Sequence, residues 1–200
     1  MPPEVRHLLA FAGGAAAVAL GGVVVYALTK RAARREPGLF RAIGWTGATP
    51  RMRIAAALLG LAIGMAVLLM FAMFPPPPDF QGGRIAAALR EGGWMLLAWS
   101  VLAVAIAPPV EELLFRGVMW TGLSRSWNPW LAAIVVTLVF VALHLPDTVG
   151  YPLALAGIGA MGLTALAMRV LSGSIVPPMF LHAAYNAMIV AAVVTGQAAR

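Results

Sequence analysis

The sequence has no cysteine, which excludes disulfides, thiolate metal sites and a cysteine nucleophile. Charge is scarce as well: 10% of residues are Asp, Glu, Lys or Arg, against 62% that are hydrophobic. Soluble domains carry about 25% charged and about 45–50% apolar residues, so a core wrapped in a wetted surface is excluded and the solvent is lipid. Also missing are a His-Glu-x-x-His zinc helix and a Gly-x-Ser-x-Gly nucleophile elbow, and the two aspartates, Asp79 and Asp147, fall in loops. These absences set aside the common zinc, serine and aspartyl peptidase chemistries. Ser172 and Ser174 read as turn residues.

What is present is a series of apolar runs at about 8–29, 54–74, 94–123, 130–146, 149–171 and 175–195. Each approaches the length that ~30 Å of hydrocarbon demands of a helix. They predict an all-α, polytopic transmembrane bundle of about six spans. Residues 1–93 form an N-terminal two-helix region with a basic loop, and residues 94–195 form a second helical core, all within one membrane domain. The first run follows Arg6 but ends in basic residues and is long for the hydrophobic part of a signal peptide, so it reads as a retained helix.

Net charge is +7, and seven basic residues lie between Lys30 and Arg53 with Glu36 as the single acid among them. Beside apolar spans, such a block is a positive-inside signal, helped by anionic headgroups, and no nucleic-acid partner is expected. The 30–53 loop is therefore cytoplasmic, and Arg125 and Arg169 fall on the same side. The Pro75–Pro78 connector, followed by the mutually cancelling Asp79, Arg84, Arg90 and Glu91, falls on the other. Four consecutive prolines make that connector stiff and extended.

The polar residues inside apolar runs are few, and placing them in hydrocarbon is costly, so they are candidates for chemistry. Pro108-Pro109 interrupt the long third run just before Glu111 and Glu112, which predicts a kink where the carboxylates begin. Glu112 and Arg116 lie four apart in the favourable order and should pair, whereas Glu111 points about 100° away and is the candidate general base. His144 follows Phe140 by four residues in the next run, and Phe140 should pack beneath it. His182 and Asn186 share one face of the last run, able to donate together to an oxyanion. A lone buried histidine or asparagine usually does no more than satisfy a neighbour. Several on three helices, where leucine would be cheaper, point to function.

The ordered set Glu111-Glu112-Leu-Leu-Phe-Arg116, Phe140-x-x-x-His144 and His182-x-x-x-Asn186 resembles the three motifs of the CPBP family, the CAAX prenyl protease 2 and bacteriocin-processing intramembrane endopeptidases. The resemblance covers about residues 94–190. It implies hydrolysis of a peptide bond in a membrane-associated protein or peptide: Glu111 and His144 activate water, His182 and Asn186 hold the oxyanion, and Glu112, Arg116 and Phe140 support the site. A zinc ion held by Glu111, His144 and His182 is chemically reasonable. A metal-free mechanism fits equally well and is slightly favoured, because that zinc would occupy the carboxylate needed as base. The short loops resemble those of prokaryotic members, which implies a plasma-membrane location.

Two other classes of function use the same residues. A membrane scaffold or bacteriocin-immunity protein would keep the motifs without hydrolysis. A proton-coupled transporter would use buried carboxylates, but would show internal symmetry and a polar path through many spans, neither of which is seen here. Depth leaves one tension. At ~1.5 Å per residue His144 lies ~21 Å from the cytoplasmic start of its run, against ~10 Å for His182. The two meet only if the fourth helix starts below the membrane surface or tilts.

Overall fold

The computed structural model describes residues 3–36, 38–78, 80, 83 and 93–198. The charge cancellation expected among Asp79, Arg84, Arg90 and Glu91 lies outside them. All of the regular structure among the described residues is helical. Helix α1 runs over Pro3–Ala33, the short α2 over Leu39–Ala42 and α3 over Pro50–Met73. Helix α4 is continuous over Gly93–Ser126, a length of 34 residues. After it come α5 at Pro129–Ala142, the short α6 at Leu145–Thr148, α7 at Leu153–Ser172 and α8 at Val176–Ala198. Five helices, α1, α3, α4, α7 and α8, are long and apolar enough to cross a membrane. The chain is an integral membrane protein built as an all-α polytopic bundle.

Several helix ends follow from local chemistry. Thr49 caps α3 by accepting the Met52 N–H (3.3 Å) ahead of Pro50 at the first helical position. Asn128 does the same for α5 through the Trp130 N–H (2.9 Å), with Pro129 next in the chain. Gly173 closes α7 with φ +67°, the left-handed conformation that glycine enters freely. The basic stretch is less of a loop than its composition predicts. Lys30 and Arg31 belong to the last turn of α1, Arg51 and Arg53 to the first turn of α3, and α2 lies between.

The fourth apolar run departs most from its sequence reading. It was expected as a span over 130–146, but the helix stops at Ala142 after 14 residues, about 21 Å at 1.5 Å per residue and short of the ~30 Å core. The cause is Pro146, which has no N–H to offer the Ala142 carbonyl four residues back and whose ring would collide with it. The next run starts late as well, at Leu153 instead of 149, behind Gly150 (φ +92°) and Pro152.

Packing centres on α8, which lies along α3 and also touches α4 and α7. The α3 contact is close because Gly60 and Gly64, spaced as Gly-x-x-x-Gly, face it. A Cβ at Gly60 would stand 2.1 Å from the Leu181 carbonyl oxygen, and one at Gly64 would stand 2.8 Å from the Met188 Cβ. Small residues let helix backbones approach in lipid, where association depends on packing and not on escape from water. Phe115, Val136, Phe140, Met161, Leu181 and Tyr185 form the buried centre. Helix α1 joins at the edge, with Phe11 against Trp99 and Gly22 against Val110. Gly60→Val should cost about 1–3 kcal/mol or more. The check is thermal unfolding in detergent, with the exposed Leu58→Val on the same helix as a control that unfolds near wild type.

Candidate active site

Helix α4 carries the two carboxylates, and it is not a uniform α-helix. Residues Leu102–Ile106 and Leu113–Met119 are π-helical, on either side of the α-helical Ala107–Glu112. The first widening has a local cause: the Pro108 ring would collide with the Val104 carbonyl in a tight α-turn, and a π-turn relieves it. A π-turn also leaves main-chain carbonyls without their usual donors, and each stretch is met by a side chain from another helix. Asn186 Nδ2 on α8 donates to the Ala103 carbonyl (2.8 Å), and Arg169 Nε on α7 donates to the Arg116 carbonyl (3.2 Å).

Glu112 and Arg116 are both completely buried and form an ion pair, Nη1 to Oε1 at 3.0 Å. Arg116 Nη2 donates to the Gly162 carbonyl at 2.8 Å, and its guanidinium lies 4.4 Å above the Phe140 ring centroid. The same Glu112 Oε1 lies 3.0 Å from His182 Nδ1. A carboxylate only accepts, so Nδ1 carries the proton and Nε2 faces the other way. That nitrogen points towards Glu111, whose Oε2 is 3.9 Å away. Glu111 is a quarter exposed, 25% for its side chain, against 0% for Glu112, yet its Oε2 is buried and has no hydrogen-bond partner.

His144 was expected within an apolar helix. It lies just past the end of α5, at the position preceding α6, for the Pro146 reason given above. Its Nδ1–H donates to the Phe140 carbonyl (2.8 Å), which leaves Nε2 free. The Phe140 ring packs beneath it, with centroids 4.7 Å apart, and meets His182 at 5.8 Å. Phe140 thus stands between the two histidines. It also explains the depth: it lies ~16 Å from the start of α5 while His182 lies ~9 Å from the start of α8, so α5 begins lower or is tilted.

The structure therefore brings Glu111, Glu112, Arg116, Phe140 and His182 together, with His144 at their edge. Asn186 stands one turn along α8 from His182, with one amide proton spent on Ala103 and one left. Among the described residues no three His, Cys, Asp or Glu side chains group closely enough to hold a metal ion. Glu111, His144 and His182 are therefore not gathered into a three-ligand site as placed. Residues outside the sequence reading also shape the site. Gly162 supplies a carbonyl where a Cβ would stand 3.2 Å from the Arg116 Nη2, and Arg169 reads from sequence as an ordinary membrane-edge arginine.

Taken together, fold and site define a helical membrane protein with a buried Glu–Arg–His cluster and a second, partly exposed glutamate beside it. Residues 93–188 match the family described as type II CAAX prenyl endopeptidase, Rce1-like, so that stretch of the chain is similar to that family. Over 80 residues the chain is 39% identical to an uncharacterized 24.3 kDa protein of Escherichia coli, an alignment that covers 38% of this chain and 36% of that protein. The chain thus spans about a third of the length of the curated relative it matches. No solved structure matches it. Arg116→Ala strands Glu112 as an unpaired buried charge and should cost about 3–5 kcal/mol, measured as loss of folded protein in urea or heat.

Proposed function

We propose that the protein is an intramembrane endopeptidase that hydrolyses a peptide bond of a membrane-associated protein or peptide. The observation that supports this most is the Glu111 carboxylate oxygen, buried without a partner and 3.9 Å from His182 Nε2. A buried acceptor left bare is costly, and two atoms at that separation can share one water at normal hydrogen-bond lengths. The arrangement places a carboxylate base and an imidazole nitrogen on either side of a reacting oxygen.

In this reading Glu111 takes a proton from the water as its oxygen attacks the scissile carbonyl carbon. His144 assists through its free Nε2. The carbonyl electron pair moves onto oxygen, where the second Asn186 amide proton donates to it, joined by His182 Nε2 in the state in which both ring nitrogens carry a proton. Glu112 holds the imidazole by Nδ1–H and supports its protonated form, as a buried carboxylate does behind a catalytic histidine. The proton on Glu111 then passes to the departing nitrogen as the C–N bond breaks, leaving a carboxylic acid and an amine. The lipid bilayer is the solvent for both enzyme and substrate, hydrolysis needs no metal, and the basic 30–53 region faces the cytoplasm of a prokaryotic plasma membrane.

The test is cleavage of a membrane-peptide library by protein in lipid nanodiscs, wild type beside Glu111→Gln, with and without a chelator. Glu111→Gln should lower kcat by about a hundred- to ten-thousandfold while the protein stays folded, and the chelator should change nothing. Loss with the chelator would instead make the enzyme metal-dependent. A wild type that cleaves nothing while still conferring a cellular phenotype would favour a scaffold or immunity role. Orientation is checked separately: with no native cysteine, Gly47→Cys in the exposed α2–α3 connector should react with an impermeant maleimide only from the cytoplasmic side.

A further inference from the structure

Arg169 occupies the last turn of α7, where a membrane-edge arginine is usually wetted, yet it is only 7% exposed. Among the described residues it has no carboxylate partner. A buried cation costs free energy unless its donors are met, and here two main-chain carbonyls from different elements meet them. Its Nε donates to the Arg116 carbonyl at 3.2 Å and its Nη2 to the Ala42 carbonyl at 2.9 Å.

Neither carbonyl is an ordinary helical one. The Arg116 carbonyl lies in the second π-helical stretch, where the normal donor has slipped by one residue. The Ala42 carbonyl ends α2 and also accepts from Thr121 Oγ1 (3.2 Å) on α4. From Ala42 the connector is fastened to the α7–α8 corner: Ile175 N–H donates to the Gly44 carbonyl (2.9 Å), and Ser174 Oγ donates to the Thr46 carbonyl (2.7 Å). Gly44 adopts φ +78°, and a Cβ there would stand 2.6 Å from the Arg169 guanidinium carbon. Two turns back on α7, Gly162 accepts from the Arg116 side chain. Helix α7 therefore holds Arg116 twice, by its main chain through Arg169 and by its side chain through Gly162.

We propose that Arg169 is a positioning residue for the Glu112–His182 pair: by gripping the Arg116 carbonyl it fixes the register of the π-helical stretch, and it ties that register to the connector at residues 42–46. The contacts run unbroken from Ala42 through Arg169, Arg116 and Glu112 to His182. The inference deepens the peptidase reading and rests on it for its kinetic readout.

The experiment compares Arg169→Met, Arg169→Lys and Gly44→Ala with wild type in nanodiscs, after melting curves identify a temperature at which each is folded. Arg169→Met removes both donors, Arg169→Lys leaves a point charge able to reach one carbonyl, and Gly44→Ala crowds the guanidinium without touching its charge while also straining the connector at a left-handed position. Arg169→Met and Gly44→Ala should lower kcat about tenfold or more with KM within about twofold, and Arg169→Lys should recover part of the loss. Imidazole 15N signals of His182, assigned with His182→Gln, should shift in the same two variants. Unchanged kcat and unchanged His182 signals in folded Arg169→Met overturn the proposal, as does a kcat loss that merely tracks the unfolded fraction. If wild type cleaves no peptide, the peptidase reading fails by itself, and the His182 signals alone then decide whether Arg169 positions the pair.

Discussion

The ion pair between Glu112 and Arg116 is the constraint around which the second half of the chain is organised. Both side chains are fully buried, and protein groups meet Glu112 Oε1 and Arg116 Nη1 and Nη2, while Glu112 Oε2 and Arg116 Nε have no partner among the described residues. Glu112 Oε1 is shared between Arg116 and His182. Arg116 needs a carbonyl for its second nitrogen, which requires a bare backbone on α7, and Gly162 provides it. The face of the guanidinium needs an electron-rich surface, which Phe140 provides. Phe140 then sets the placing of both histidines, because each ring packs against it.

The same demand explains why α4 can afford two irregular stretches. A π-turn in lipid would ordinarily leave a carbonyl bare, yet Asn186 covers the first stretch and Arg169 the second. Each irregularity is in effect half of an interhelical bond. Asn186 is therefore both a structural donor to α4 and a neighbour of His182, and its two amide protons allow both tasks.

Much of this was legible in the sequence, and the remainder has identifiable physical reasons. Apolar run length and the ordered motifs located the bundle and its polar residues, and the i,i+4 spacing of Glu112 and Arg116 leads directly to their ion pair. The early end of α5 was signalled by Pro146, but the apolar composition continuing past Ala142 outweighed it in a reading based on hydropathy. The π-turns were not legible: Pro108-Pro109 indicate a disturbance, but the choice between a kink and a widened turn depends on which neighbours can satisfy the freed carbonyls. Gly162 and Arg169 were missed because a helix glycine and a terminal arginine have ordinary explanations. Their roles arise only from what α7 lies against.

The shortness of α5 reaches beyond the protein itself. Leu143, Leu145 and Val149 at its upper end are exposed, so acyl chains must come down to meet them, and a helix of about 21 Å beside a core of about 30 Å leaves roughly 9 Å for the bilayer to absorb, at a fraction of a kcal/mol per Å. Mismatch of this kind is met by local thinning, snorkelling or oligomerisation, and here it falls on the flank that carries His144. Membrane thickness becomes a variable of the protein's surroundings: short-chain or disordered lipids relieve the strain on that flank, and sterol-thickened ones increase it.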